Sequence, residues 1–235
     1  MISEDQNKAL LLVAEKTRQV EEWRKYAEYC TLREKGLRKV SFAVLNEFLV
    51  EVRQWTYEQK KSFVTCLMQF CETVPDADYG PLPTPLVQQV VVPTLKTWCE
   101  SELEDSTPFR WLGIYFYRLE YLYKALEVDA TDDRARGHIV SDSIGHIEFS
   151  THHLPDYFIG EPNQVLDKAK EVYIHITKFF DDTRREYWHK ELEEALLLVH
   201  NYIAWIESGH TNLVEWGKEN NTIVSSGITT VYYNS

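Results

Sequence analysis

Apolar residues recur at three- and four-residue spacing along almost the whole chain, and only 9 glycines and 8 prolines interrupt 235 residues. That period is the signature of helices that bury one face, and it leaves little room for strands, whose side chains alternate with a period of two. The expected fold is all-α, with antiparallel helical hairpins stacked as a short superhelix or an irregular bundle. A chain of this length buries a substantial core without staples.

The most constraining stretch is residues 107–160. Residues 108–127 read as one strongly aromatic helical arm, and residues 132–154 as a second arm rich in His, Ser and Asp. Residues 128–131 form the turn between them. Upstream, residues 3–34 read as one helix, because Ala9, Val13, Lys16, Val20, Trp23, Ala27 and Cys30 alternate at four and three, a coiled-coil-like seam weakened by Lys16. Gly36 ends it. Ser41 is expected to cap the next helix, whose apolar face holds Val44, Leu45, Phe48, Leu49 and Val52. Thr56 with Gln59 forms a capping-box pattern opening a helix to about residue 73.

Residues 74–83, punctuated by Pro and Gly, are the clearest linker. The expected organisation is a helical region over 1–74, a second over 84–221 packed on it as one globular unit, and a tail over 222–235. Thr84 and Pro85 open a helix in which Pro93 predicts a kink near residues 89–92. Two long helices follow over 163–180 and 183–208, with Gly209 as a C-cap signal and a short last helix from Thr211. The tail is either disordered or docked through Tyr232 and Tyr233.

Lys and Arg total 25 against 37 Asp and Glu, a net charge of −12. Phosphate neutralisation dominates nucleic-acid affinity, so neither nucleic acid nor an anionic membrane is an expected partner, whereas a basic partner is permitted. Cys30, Cys66, Cys71 and Cys99 form no C-x-x-C pair and read as reduced core thiols of a cytoplasmic protein. The first eight residues lack the basic region of a signal peptide, and the longest apolar runs are too short or too interrupted to span a bilayer.

At the turn between the two arms, Ala125-Leu126-Glu127-Val128-Asp129-Ala130 resembles the tetratricopeptide-repeat (TPR) family. There, Ala-Leu-x-x-Asp/Asn-Pro closes one helix and small residues such as Ala135 open the next; Ala130 stands where the family has proline. Trp111-Leu112-Gly113 is similar to the family's Trp-x-x-Leu-Gly, at a shorter spacing. The resemblance covers this one hairpin and carries over no functional residues. It implies a TPR-like superhelix that binds a protein or peptide.

On a helical wheel Arg118 falls inside the apolar arc of the first arm. Asp142, His146 and His153 share an arc with Ala135, Ile139, Phe149 and Leu154 on the second. For antiparallel arms Arg118 then faces residue 141, and His146 faces the space left by Gly113. A buried charge requires a partner, so a buried or half-buried Arg118–Asp142 pair with His146 beside it is expected, setting helix register or lining a polar pocket. His146 and His153 are separated by about 10.5 Å along a helix and are not expected to share an ion. Glu186 and His189 have a Glu-x-x-His spacing without the second copy a di-iron bundle needs. Neither metal nor cofactor is expected. Arg134, Arg136, Arg184 and Arg185 sit among acids and read as surface pairs.

The leading expectation is a scaffold or adaptor without catalysis, binding a protein or peptide in a groove lined by the second arm and residues 156–160. Arg118, Asp142, His146, His153 and Tyr157 are the candidate contact residues. The alternative is a helical-bundle enzyme or small-ligand protein using Arg118, Asp142 and His146, although no nucleophile with an assigned base is found. An acidic inhibitor or immunity protein covering a basic target is a further alternative.

Overall fold

The computed structural model describes residues 4–74 and 80–225, without the side chains of Glu4 and Asp5. Among the described residues the regular structure is helical throughout. In order these are α1 (Glu4–Thr17), α2 (Arg24–Glu34), α3 (Arg38–Val52), α4 (Tyr57–Thr73), the short α5 (Thr84–Leu86), α6 (Val92–Ser101), α7 (Thr107–Phe116), α8 (Leu119–Val128), α9 (Asp133–Thr151), α10 (Pro162–Ile176), α11 (Asp182–Ser208) and α12 (Leu213–Glu219). The chain falls into two compact units, Met1–Val128 and Asp129–Ser235. The division follows α8, and the 74–83 stretch lies inside the first unit.

In that first unit the single helix expected over 3–34 is broken. Val20 is extended and a 3-10 turn at Glu21–Trp23 lets α2 fold back on α1. The apolar seam therefore packs against itself: Ala9 and Val13 on α1, and Ala27 and Cys30 on α2, are fully buried. Lys16 stays outside, and the neighbouring Thr17 is buried, its hydroxyl donating to Val13 O at 2.7 Å. Burial drives the Cys30 thiol pKa up to about 12.

Phe63 of α4 centres an aromatic cluster, with ring centroids 5.2 Å from Tyr26 and Phe48, 5.5 Å from Trp23 and 5.8 Å from Trp55. The capping box at Thr56 and Gln59 orients α4 as the pattern predicts. Ser41 is not a cap: α3 begins three residues earlier, and Ser41 is buried, its hydroxyl donating back to Arg38 O at 2.8 Å.

The linker expected at 74–83 is anchored at its end. The hydroxyls of Tyr26 and Tyr29 donate to Pro81 O at 2.6 Å and Gly80 O at 3.3 Å. A side chain on Gly80 would press on Leu10. Residues 75–79 lie outside the described residues. Beyond it the disturbance expected from Pro93 appears as a π-helical segment, Val87–Val91, whose wider turn accommodates the missing proline N–H.

The aromatic arm expected as one helix over 108–127 is two. Tyr117 adopts a left-handed conformation (φ 52°) and its side chain is exposed, ending α7. Helix α8 then packs back on α7, with Leu122 filling the space beside Gly113. The two stretches that resemble the TPR pattern thus lie on different helices, Trp111–Gly113 on α7 and Ala125–Leu126 on α8.

The second unit is built on α9, α10 and α11, each packed on the other two. Asp132 caps α9 by accepting from Ala135 N at 3.0 Å. Asp181 caps α11, and Gly209 closes it in the left-handed conformation (φ 71°). Val140, Ile144 and Ile147 of α9, Val172 and Ile176 of α10, and Leu192 and Val199 of α11 form its core. Helix α12, capped by Asn212, adds a smaller cluster of Leu213 and Trp216 with Leu154. Tyr232 and Tyr233, offered above as docking residues, lie outside the described residues.

Candidate functional site

Helix α9 is the long polar arm identified in the sequence, and its inward face is set by Ala135, Ile139, Val140, Ile144 and Ile147, all buried. That arc is rotated from the one read off the wheel. Phe149, taken as an inward residue, is 58% exposed, and Asp142 and His146 point outward with it. Of the residues expected inward, Ala135, Ile139 and Leu154 are buried, and Ile144 and Ile147 take the place of Phe149 in the packed face.

Arg118, expected to be buried or half-buried, is exposed. The Arg118 side chain is 63% exposed and its ion partner is Glu120, at 4.0 Å. The break at Tyr117 removes Arg118 from the apolar arc. Asp142 pairs with His146 one turn along α9, Nδ1 lying 3.5 Å from the carboxylate and 2.8 Å from the Asp142 carbonyl. Both side chains are open to solvent, so no walled pocket forms around them.

His153 and Tyr157 are brought together. Their rings stack at 4.6 Å, and His152 meets His153 edge-on at 5.0 Å. His153 Nδ1 is buried and has no hydrogen-bond partner among the described residues. Tyr157 is half exposed. The following residues are pinned to the unit: Phe158 stacks on Tyr202 of α11 at 4.8 Å, and Ile159 N donates to Ser150 O at 2.8 Å.

Two clefts flank the outward face of α9 where it meets α11. One, of about 470 Å³, is lined by Gly145, Glu148 and Phe149 of α9, by His152 at its C-terminal cap, and by Glu194 and Leu198 of α11. The other, of about 430 Å³, lies nearer the start of both helices, with Gly137, His138 and Ser141 of α9 facing Arg184, Tyr187 and Trp188 of α11. Early residues of α9 thus meet early residues of α11, and later meet later, so the two helices run parallel. Gly137, Ser141 and Gly145 recur every fourth residue along this seam, and a Cβ on either glycine would meet nothing within 4 Å. The seam is open beside Gly137 and Gly145, which carry no side chains.

Sequence reasoning placed the groove on the second arm but missed Glu148, His152, Glu194 and Leu198. The spacing of Gly137, Ser141 and Gly145 was the available signal: three small residues on one face of a helix mark close approach or an unfilled trough. Arg136, read as a surface residue, is buried at 2% exposure. Its guanidinium donates to Ala130 O, lies 3.8 Å from Asp133 and 5.9 Å from the Phe179 ring centre.

Among the described residues no three His, Cys, Asp or Glu side chains are grouped to hold an ion, and His189 of the Glu-x-x-His spacing rests on the Tyr173 ring at 5.0 Å. Among the described residues no helix is long and apolar enough to cross a membrane. Comparison of the chain with protein-family models, curated proteins and solved structures finds no match.

Proposed function

We propose that the protein is a non-catalytic helical binding module whose Asp129–Ser235 unit accepts a basic amphipathic helix of a partner protein in the cleft between the later halves of α9 and α11. The single observation that carries this reading is the exposed Phe149 beside the unfilled Gly145, rimmed by Glu148 and Glu194. An exposed aromatic at a trough between two helices is the feature a partner's apolar anchor fills. A helix is the occupant because the lining residues Gly145, Glu148 and His152 follow a 3-4 spacing, as a helical seam requires.

Charge selects a basic occupant. Glu148 has no ion partner among the described residues, and Glu194 shares only an exposed contact with Lys190 at 3.6 Å. The chain as a whole carries −12. Lys or Arg flanking the apolar anchor would be steered to this face and held at its rim. The TPR-like turn at Ala125–Ala130 supports a binding role by resemblance. The four free thiols support a reducing compartment such as the cytoplasm. The exposed Asp142–His146 pair gives the enzymatic alternative no enclosed site.

Selection of helical peptides from a displayed library against the full chain tests the proposal. Binders enriched in one aromatic or aliphatic anchor flanked by Lys or Arg one turn away, and lost with Phe149→Ala, are the expected outcome. Acidic binders, or binders indifferent to Phe149, would count against it.

A further inference from the structure

The cleft at the starts of α9 and α11 has the opposite chemistry. We infer that this cleft, between Arg134 and Arg184 over the rings of Phe179, Tyr187 and Trp188, is a binding site for an aromatic anion: a flat ring bearing a phosphate or carboxylate. This goes beyond the helix-binding reading, since it uses a separate cleft of the same unit.

Three features of the cleft point to that ligand. Its apolar surface is aromatic: Tyr187 and Trp188 pack edge to face at 5.0 Å, and Phe179 is buried below. Flat rings of this kind receive another ring by stacking or edge contact. Room is present because Gly137 carries no side chain and a Cβ there meets nothing within 4 Å. The cleft holds about 430 Å³, the scale of a small-molecule site.

Two arginines, Arg134 and Arg184, line the cleft against one acid, Asp133, and the acids beside it are engaged by other groups. Asp181 caps α11 by accepting from Thr183 N at 2.8 Å, and Asp182 pairs with Arg185. Arg185 also donates to Phe179 O at 2.5 Å, which holds it away from new ligands. Asp133, the acid in the cleft wall, lies 3.8 Å from the buried Arg136. Arg184 has no hydrogen-bond or ion-pair partner among the described residues, although the chain carries twelve more acids than bases. A guanidinium beside an aromatic floor recognises an anionic group through paired N–H donors while the ring fills the apolar part. His138 and Ser141 line the same wall and add further donors. Desolvation and the charge of Arg134 lower the His138 pKa, which favours the neutral imidazole there.

The ring and anion come from one of two sources, a free aryl phosphate or carboxylate, or a phosphotyrosine side chain on a protein. Phenyl phosphate is the probe, titrated by calorimetry and by amide shifts of Gly137 and His138 in the full chain. Inorganic phosphate and benzyl alcohol report the anion and the ring separately. Saturable binding below about 1 mM, with both controls at least about tenfold weaker, is expected. Arg184→Glu should weaken it by about tenfold or more, while placing an acid in the first turn of α11, where the helix tolerates it. Gly137→Leu fills the cleft and raises helix propensity, and should abolish binding in a folded protein. A phosphotyrosine peptide that binds at least about tenfold more tightly than phenyl phosphate assigns the protein source, and equal affinity the free ligand. No saturable binding of phenyl phosphate, or binding unchanged in both folded variants, overturns the inference.

Discussion

Arg110 of α7 and Glu72 of α4 form a largely buried ion pair, 3.5 Å apart with side chains only 16% and 12% exposed. A buried pair was expected from the sequence, but at Arg118. Burial makes the difference: removing one partner of a pair withdrawn from water strands the other charge, while an exposed pair is replaced by solvent. Glu72→Ala should lower stability by about 3 kcal/mol. Arg118→Ala should change it by less than about 0.5 kcal/mol. Urea denaturation of the two variants compares them directly.

Gly113 should tolerate no side chain. The space its Cβ would enter is taken by Leu122, with the Leu122 backbone nitrogen also only 3.2 Å away. Relief requires α8 to move off α7. Gly113→Ala is expected to cost about 1–3 kcal/mol as overpacking, and the double variant with Leu122→Ala should cost less than the two single effects added together. Thermal melts of the two single variants and the double variant measure that coupling.

Stability of the second unit should fall in mild acid. Desolvation lowers the pKa of both His138 and His175, reinforced by Arg134 for the first and by Arg136, Lys178 and Lys168 for the second. A group with a depressed folded pKa takes up its proton more readily when unfolded. The stability it contributes is therefore complete above the unfolded value of about 6.5 and is lost as pH falls from there toward the folded pKa. Melts at pH 7.5 and pH 5.5 should differ by more in the wild type than in a His138→Asn/His175→Asn double variant.

Arg136 should be far more sensitive than its exposed neighbour Arg134. Arg136→Ala strands Asp133 and the Ala130 carbonyl, both of which it now meets. A loss of about 2–4 kcal/mol is expected, against less than about 0.5 kcal/mol for Arg134→Ala, as read by chemical denaturation.

Helical period and caps were legible in the sequence because they are local. Thr56 with Gln59, and Gly209, mark helix ends through hydrogen bonds and backbone conformations within a few residues. The breaks at Val20 and Tyr117 were not, because apolar spacing continues across both. Nothing local distinguishes a long helix from two that fold back on one another. The same limit hid the outward face of α9: Phe149 reads like a core residue, but the neighbours contributed by α10 and α11 bury Ile144 and Ile147 instead. Arg136 reads like Arg134 until Phe179 and the Ala130 carbonyl come beside it.

Charge exchange tests the proposed docking of a basic helix most directly. A selected basic peptide is titrated into the wild-type chain and into a Glu148→Lys/Glu194→Lys variant, alongside a peptide whose Lys and Arg are replaced by Glu. Both substituted positions are exposed, so the fold is retained. The variant is expected to lose about tenfold or more in affinity for the basic peptide and to gain affinity for the acidic one. Equal affinity of both chains for the basic peptide would contradict it.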